Sequence, residues 1–524
     1  MHIDLEQTSA PNNLHSTICI IGAGIAGLVL AKRLAHQGID VCLLEAGGLK
    51  PEERSQALYR AHIAPGAQEH HGVNTGRFRT FGGTSTRWGG QLLPFTPDIF
   101  SPGPGLPNLA WPIPERELTP YYDEIQQLLG VDSLPYTSEL SQALGAPPLP
   151  PSENIRVRFS KWIPFQRRNL GQTLGVEALS HPKITVITHA NTASLEVDPT
   201  APSRIVRARV LTYSGRELSF TADRFIVACG TIESSRLLLC SPSVPNPYDL
   251  IGRYFHDHVV CHAAQFRSPT RERVARFIGP FFVDGTMHTC KLEASDQLRE
   301  RERLLSVMSH VAVVEPEDSG PAAIRNLMWS LQQGRLREAL TRNLVPMMRG
   351  LGEVAHLAWS LKFRRRRPIS KRAILYLNID VEQNPDPNNR ITLHPTERDA
   401  LGLPITVVDW RIGEAEKRTV LAYARIIREY LTANGLDPVD WAPEWAEGNT
   451  PPLVDTIHAM GGLRMGDDPA TSVVDRNLRL HQLENLYVAS CAVFPAGSSS
   501  NPTFTMVALA MRLADRIASE LRTQ

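Results

Sequence analysis

The 524 residues carry 55 Lys and Arg against 54 Asp and Glu, a net charge of +1, with 42% hydrophobic and 21% charged residues. That balance is ordinary for a soluble globular protein, and it gives no bulk electrostatic reason to bind nucleic acid. The length supports two or three domains and a large core.

The first residues, MHIDLEQTSAPNNLHST, are polar and acidic rather than basic-then-apolar, so no signal peptide is expected. No run approaches eighteen apolar residues, so no transmembrane helix is expected. The seven cysteines are scattered and form no CxxC pair, which removes zinc and disulfide readings. Cys19, Cys42 and Cys229 sit in apolar runs as small hydrophobes, and a reducing, cytoplasmic location follows as the expectation.

Residues 17–47 predict a strand (Thr17–Ile21), the turn Gly22-x-Gly24-x-x-Gly27, a helix ending near Gly38, and a second strand (Val41–Leu44) closing on Glu45. Glycines at that turn let the backbone approach a pyrophosphate at the positive helix N-terminus, and Glu45 is placed to accept from ribose hydroxyls. The acid disfavours a 2′-phosphate, which leaves NAD and FAD open.

Residues 48–79 read as loop. Then comes FGGTSTRWGGQ (81–91), with Gly82, Gly83, Gly89 and Gly90 paired around Thr84 and Trp88. Eight prolines in 94–120 predict a long irregular excursion. Strand patterns occupy 184–229, ending at Gly230 before the helix TIESSRLLL, a return to the dinucleotide sheet. Strand runs in 259–314 and 374–411 predict a separate sheet, with a helical pattern at 324–363. The C-terminal end predicts a strand in NLYVA (485–489), then Ser490 and Cys491, then an amphipathic helix from about Pro502 and Thr503.

Taken in order, GAGIAG with Glu45, GGTSTRWGG, FIVACGTIESSRLLL, HAMGGLRMG and NPTFTMVALAMRLAD resemble the glucose–methanol–choline (GMC) oxidoreductases, within them the pyranose 2-oxidase and bacterial C-glycoside oxidoreductase branch. The resemblance implies FAD as cofactor. It implies an α/β fold: a discontinuous Rossmann-like FAD-binding domain and a substrate domain with a mainly antiparallel sheet covered by helices. The expected boundaries are 1–105, 171–258 and 448–524 for the FAD domain, 106–170 for an excursion or lid and substrate-domain segment, and 259–447 for the substrate domain.

By the same resemblance the glycine-rich stretch lies along the pyrophosphate and flavin, Trp88 packs near the ring, and Ser490 and Cys491 make backbone contacts to the pyrophosphate. His458 and Asn501 match the catalytic pair, His458 as base and Asn501 holding the same hydroxyl. The residues by themselves also allow a loop histidine and a helix N-cap at these two places. Arg87 stands where pyranose 2-oxidases carry a flavin-linked histidine. It stays protonated and is no nucleophile, so noncovalent FAD is expected.

His256, Asp257, His258 and His262 form a tempting cluster, read as hydrogen-bonded structural histidines near the domain junction. No metal is expected. Residues 325–372 hold twelve Lys or Arg against two acids, read as a solvated face, with peripheral membrane contact or an anionic glycoconjugate site as alternatives. The expected reaction is oxidation of a secondary alcohol of a sugar or glycoside to a ketone, with oxygen or a quinone as acceptor. A hydrophobic alcohol such as a sterol, a redox-silent flavin lyase and a membrane-associated binding protein remain the alternatives.

Overall fold

The computed structural model describes residues 1–7, 13–103, 110–143, 149–332, 341, 350–438 and 440–523. The segment 17–47 folds as its periodicity dictates. The strand Asn13–Ile21 feeds the turn, the helix Ile25–His36 follows, and Val41–Leu44 pairs parallel to the first strand, Ile18 opposite Val41. Ile18–Ile21 and Val41–Leu44 are apolar and buried, as the interior of a covered parallel sheet requires.

Among the described residues this sheet has eight strands, in the order His2–Asp4, Ile184–Thr188, Val41–Leu44, Asn13–Ile21, Glu217–Val227, Ala201–Leu211, Asn191–Asp198, with Leu486–Val488 also on Glu217–Val227. Sequence-distant segments therefore lie side by side. The helix Thr503–Thr523 packs on Ile25–His36, joined by Arg33 Nε to Asp515 Oδ1 at 2.6 Å.

Among the described residues a second, antiparallel sheet of nine strands is built on His258–Phe266, Ile374–Glu382, Val307–Val314, Thr286–Ala294 and Ile155–Trp162. Its edge strand Gln91–Leu92 follows directly on the second glycine pair. Ala61–Ile63 joins Arg390–Arg398 and Pro404–Asp409 in a third sheet. The two large sheets have separate apolar cores.

Side-chain alternation divides the second sheet. Phe159, Cys290, Leu292, Ile379 and Val381 enter its core, where the helix Glu414–Ala433 covers them. The other face is polar. It carries Ser160 on Thr289 (2.7 Å), Trp162 Nε1 on Thr289 Oγ1 (2.9 Å) and His310 on Asp380 (2.6 Å).

The stretch 48–79, expected as loop, contains the short helices Glu53–Ala57 and His71–Asn74 besides the strand Ala61–Ile63. The helical pattern expected over 324–363 appears as Gly320–Gln332 and Leu351–Arg364; 333–340 and 342–349 lie outside the described residues. Among the described residues no helix is long and apolar enough to cross a membrane.

Candidate functional site: a glycine-lined turn and a histidine–asparagine pair

The two glycine motifs meet. Gly82 N–H donates to Ala23 O at 2.9 Å, and a Cβ on Gly83 would stand 3.0 Å from Gly24 Cα. Gly22, Gly82, Gly83, Gly90 and Gly230 all have positive φ, conformations a side chain strains to adopt. Gly27 has a different reason. Its Cβ would fall 1.9 Å from Gly22 O, so only glycine lets the helix start this close to the turn.

Gly24 and Gly230 have no heavy atom within 4 Å of where a Cβ would stand, so the strand ends face open space. Beside it, Glu45 is buried and accepts from Ala23 N at 3.0 Å and Gly47 N at 2.8 Å. Burial pushes its carboxyl above the usual range, only partly offset by those two donors. A cavity lined by Gly22, Glu45, Tyr59, Arg79 and Glu233 opens there.

Thr84 is exposed, Trp88 is half-buried and donates from Nε1 to Arg168 O at 2.8 Å, and a Cβ on Gly89 would press on the Trp162 ring. Arg87 stacks on Phe78, its Cζ 4.7 Å from the ring centre. Ser490 accepts from Ala492 N at 3.3 Å; the thiol of Cys491 is pushed up to about 12 by burial, which suits packing rather than nucleophilic chemistry.

At the domain junction His458 Nε2 lies 3.1 Å from Asn501 Nδ2. The surrounding bonds assign the tautomer. His258 Nε2 faces the Gly497 carbonyl at 3.1 Å and so carries its proton, leaving Nδ1 as acceptor 3.1 Å from His458 Nδ1. Thr456 donates to Asp257 Oδ1 at 3.0 Å and so accepts from His458 Nδ1 at 2.8 Å. His458 is thus protonated at Nδ1 and bare at Nε2, where the Asn501 amide donates.

Burial lowers the His458 pKa to about 4, and the neighbouring His258 lowers it further than Asp257 raises it. The residue as a whole is half-buried. Asn501 Oδ1 is buried and accepts no hydrogen bond, so the side chain does not cap the helix that starts at Thr503. Pro502 is buried, and its carbonyl accepts from Met506 N at 3.0 Å.

The second sheet holds the Asn501 loop in place. Glu382 Oε1 accepts from Gly497 N (3.0 Å) and Ser498 N (2.8 Å), Ser306 binds Ser499, and Arg158 reaches Ser500 Oγ at 3.4 Å. Asp380 and Lys291, both on the polar face, are close enough for their charges to act on His458.

Asp257 and His258 were seen in the sequence, but not as partners of His458. The strand begins at His258, which turns to His458, while His262 binds Asn378 at 2.8 Å and stacks on Tyr376. His70 had no signal at all, lying in a segment read as loop. With Asp257 and Asp455 it forms a buried cluster.

These features combine a dinucleotide-type glycine turn with a histidine–asparagine pair. Residues 20–49 match the NAD(P)-binding Rossmann-like domain and residues 385–510 match the GMC oxidoreductase family model. The chain is similar to the GMC oxidoreductases over residues 385–510, and it is an FAD-dependent oxidoreductase acting on CH–OH donors.

It is 23% identical to the fructose dehydrogenase large subunit of Gluconobacter japonicus over 97% of this chain and 99% of that one. It is 28% identical to the C-glycoside 3-oxidase of Microbacterium trichothecenolyticum over 32% of each chain. The pyridoxine 4-oxidase from Mesorbium loti superposes with a TM-score of 0.57 at 16% identity, covering 96% of this chain and 99% of that one. The fold is shared over that length.

Proposed function

We propose that this protein oxidises a secondary alcohol of a sugar or glycoside to a ketone, with His458 as base and Asn501 as the group that orients the hydroxyl. The observation carrying the reading is the bare Nε2 of His458 set 3.1 Å from the Asn501 amide, whose oxygen has no partner. A hydroxyl that displaced this contact would give its proton to Nε2 and be held by the amide.

FAD fits the residues present. Gly22, Gly24 and Gly27, with Gly82 and Gly83 against them, would admit its pyrophosphate, and Glu45 would take the ribose. Thr84, Trp88, Gly89, Gly90, Gly230, Ser490, Cys491, Pro502 and Thr503 would complete its surroundings. Bound FAD supplies the hydride acceptor. The chain's own part is to take the proton, aim the C–H bond and exclude competing geometries.

The polar face of the second sheet supports a hydroxyl-rich substrate. Ser160, Thr289, His310, Asp380 and Lys291 offer donors and acceptors where a sterol would need apolar walls. The names of the fructose and C-glycoside relatives point the same way. Anaerobic mixing with a panel of sugars, glycosides and sterols should bleach the flavin only with the first two. His458→Ala should keep FAD and slow bleaching by about 10²-fold, the scale of general-base loss. A wild-type bleaching rate in that variant would remove His458 as base.

Noncovalent FAD follows from arginine at position 87, and acid precipitation should release yellow cofactor into the supernatant. Flavin left in the pellet would refute this. The acceptor is oxygen or a quinone, and the seven unpaired cysteines favour a reducing, cytoplasmic location. Peripheral membrane contact is supported by Trp359 and Phe363, 44% and 66% exposed beside Lys362 and Arg364. Flotation with anionic vesicles, absent in Trp359→Ser, tests it.

A further inference from the structure

Behind His458 lies a row of polar groups that alcohol oxidation by the His458–Asn501 pair does not itself require. Thr456 Oγ1 donates to Asp257 Oδ1 at 3.0 Å, and the same oxygen accepts from His258 N (2.7 Å) and His458 N (3.0 Å). Asp257 Oδ2 stands 3.2 Å from His70 Nε2, and the opposite ring nitrogen, Nδ1, stands 3.5 Å from Asp455 Oδ2. Asp455 Oδ1 then lies 2.9 Å from Nδ1 of His71.

The side chains of His70, Asp257 and Asp455 are 0% exposed, whereas that of His71 is 52% exposed. The row thus runs from the reacting histidine to solvent. Phe255 and Trp410 pack on the His70 ring and keep water from its faces.

Two carboxylates and an imidazole buried together cost several kcal/mol in lost hydration, which packing alone does not explain. Their arrangement suits neither of the two ordinary alternatives. As a structural cluster it is incomplete, because neither nitrogen of His70 nor Asp257 Oδ2 makes a well-directed hydrogen bond. As a metal site it is awkward, because the two ring nitrogens face different carboxylates rather than one common point. An imidazole between two acids, each facing one nitrogen, can take a proton on one side and release one on the other. Contacts of this kind are often poorly aligned until the site is filled.

We propose that Thr456, Asp257, His70, Asp455 and His71 form a proton relay that returns the proton taken up by His458 to solvent on the side away from the substrate. The proposal rests on His458 being the base. When the substrate proton arrives at Nε2, the Nδ1 proton passes to Thr456 Oγ1 as the threonine proton passes to Asp257. Asp257 gives one to His70 Nε2, His70 Nδ1 gives one to Asp455, Asp455 gives one to His71 Nδ1, and His71 Nε2 releases one to water. One proton enters and one leaves, no member gains or loses one overall, and no electrons move along the row.

Asp257 is a transient carrier. Burial raises its pKa, but the contact with His70 and the charges of the surrounding histidines more than offset this and keep it below the usual carboxylate range. The exit suits a site whose substrate side is blocked by bound product at the moment the proton must leave.

The test is anaerobic stopped flow of the holoenzyme with an oxidisable sugar and a pH-indicator dye in weak buffer, following flavin bleaching and proton release together. In the wild type the two should keep step. In His70→Gln, bleaching should stay within about 2-fold while proton release lags by about 10-fold or more, the lower range of proton-transfer contributions. His71→Gln, at the half-exposed mouth, should show the same lag if the buried variant does not fold, and added imidazole should restore it.

Proton release in step with bleaching in both variants would overturn the relay, as would a wild type that releases no proton. A stoichiometric divalent metal in the purified holoenzyme would overturn it as well. Failure of the base assignment looks different: His458→Ala would then bleach at the wild-type rate.

Discussion

At the scale of single residues, the chemistry turns on which nitrogen of His458 is bare, and the structure answers through neighbours. Because burial and His258 hold the imidazole pKa at about 4, the base is already neutral at every pH where the protein is handled. Flavin reduction should therefore be flat with pH from neutrality to about 5 and fall towards 4 as Nε2 becomes protonated. His258 is one cause of the lowered His458 value, so replacing it with Asn should move the acid limb upward, visible in a pH profile of the reductive rate. A limb that stays put would show that His258 only packs.

Asn501→Asp makes the second residue-scale prediction. The side chain is not a helix cap, so thermal stability should change little, while a carboxylate 3.1 Å from Nε2 favours imidazolium. The base would be occupied at neutral pH and turnover mostly lost. Turnover at the wild-type level would contradict the paired roles.

Among elements, the turn from Ile21 to Ile25 separates two uses of glycine that a motif treats alike. Gly27→Ala sets a Cβ 1.9 Å from Gly22 O and must displace the helix, costing stability in the range of about 1–3 kcal/mol typical of overpacking. Gly24→Ala meets nothing in the protein, so the apoprotein should melt as the wild type does, while the methyl takes up room that the pyrophosphate needs. Melting curves with and without added FAD separate the two. A Gly24→Ala protein that binds FAD normally would move the cofactor off this turn.

The same contrast explains what the sequence made legible. The helix Thr231–Leu239 and the strand Val41–Leu44 fall where their periodicity put them, because local pattern and tertiary burial agree. His458 and Asn501 were legible because each sits in a motif. His70 was not, because its meaning lies in Asp257 and Asp455, which are 187 and 385 positions away. Gln91–Leu92 and Ala61–Ile63 were missed as strands for a related reason. Two or three residues have no periodicity to read, and pairing partners alone make them strands.

At the scale of the whole molecule, stability inherits the buried histidines. Burial lowers both His256 and His458 to about 4, against an ordinary value near 6.5. Between those values the unfolded chain binds more protons than the folded one, so each histidine's contribution is complete above about pH 6.5 and is lost as pH falls towards 4. His256→Asn removes one such proton without touching the His458–Asn501 pair. The slope of unfolding free energy against pH between about 6.5 and 4.5 should then become shallower by up to about 1.4 kcal/mol per pH unit. Denaturant titrations at a series of pH values measure it, and an unchanged slope would mean that His256 is not held neutral by the fold.

The eight-stranded sheet has one more consequence, concerning order in time. Its strand Glu217–Val227 waits for Leu486–Val488, and the helix Ile25–His36 waits for Thr503–Thr523. On a ribosome, the amino-terminal βαβ unit emerges hundreds of residues before the segments that complete its sheet and cover its helix. Contacts so distant along the chain form late and slowly. A nascent chain should therefore acquire FAD only after the helix Thr503–Thr523 clears the exit tunnel, so that holding the cofactor doubles as a check that both distant partners of the amino-terminal unit have been made.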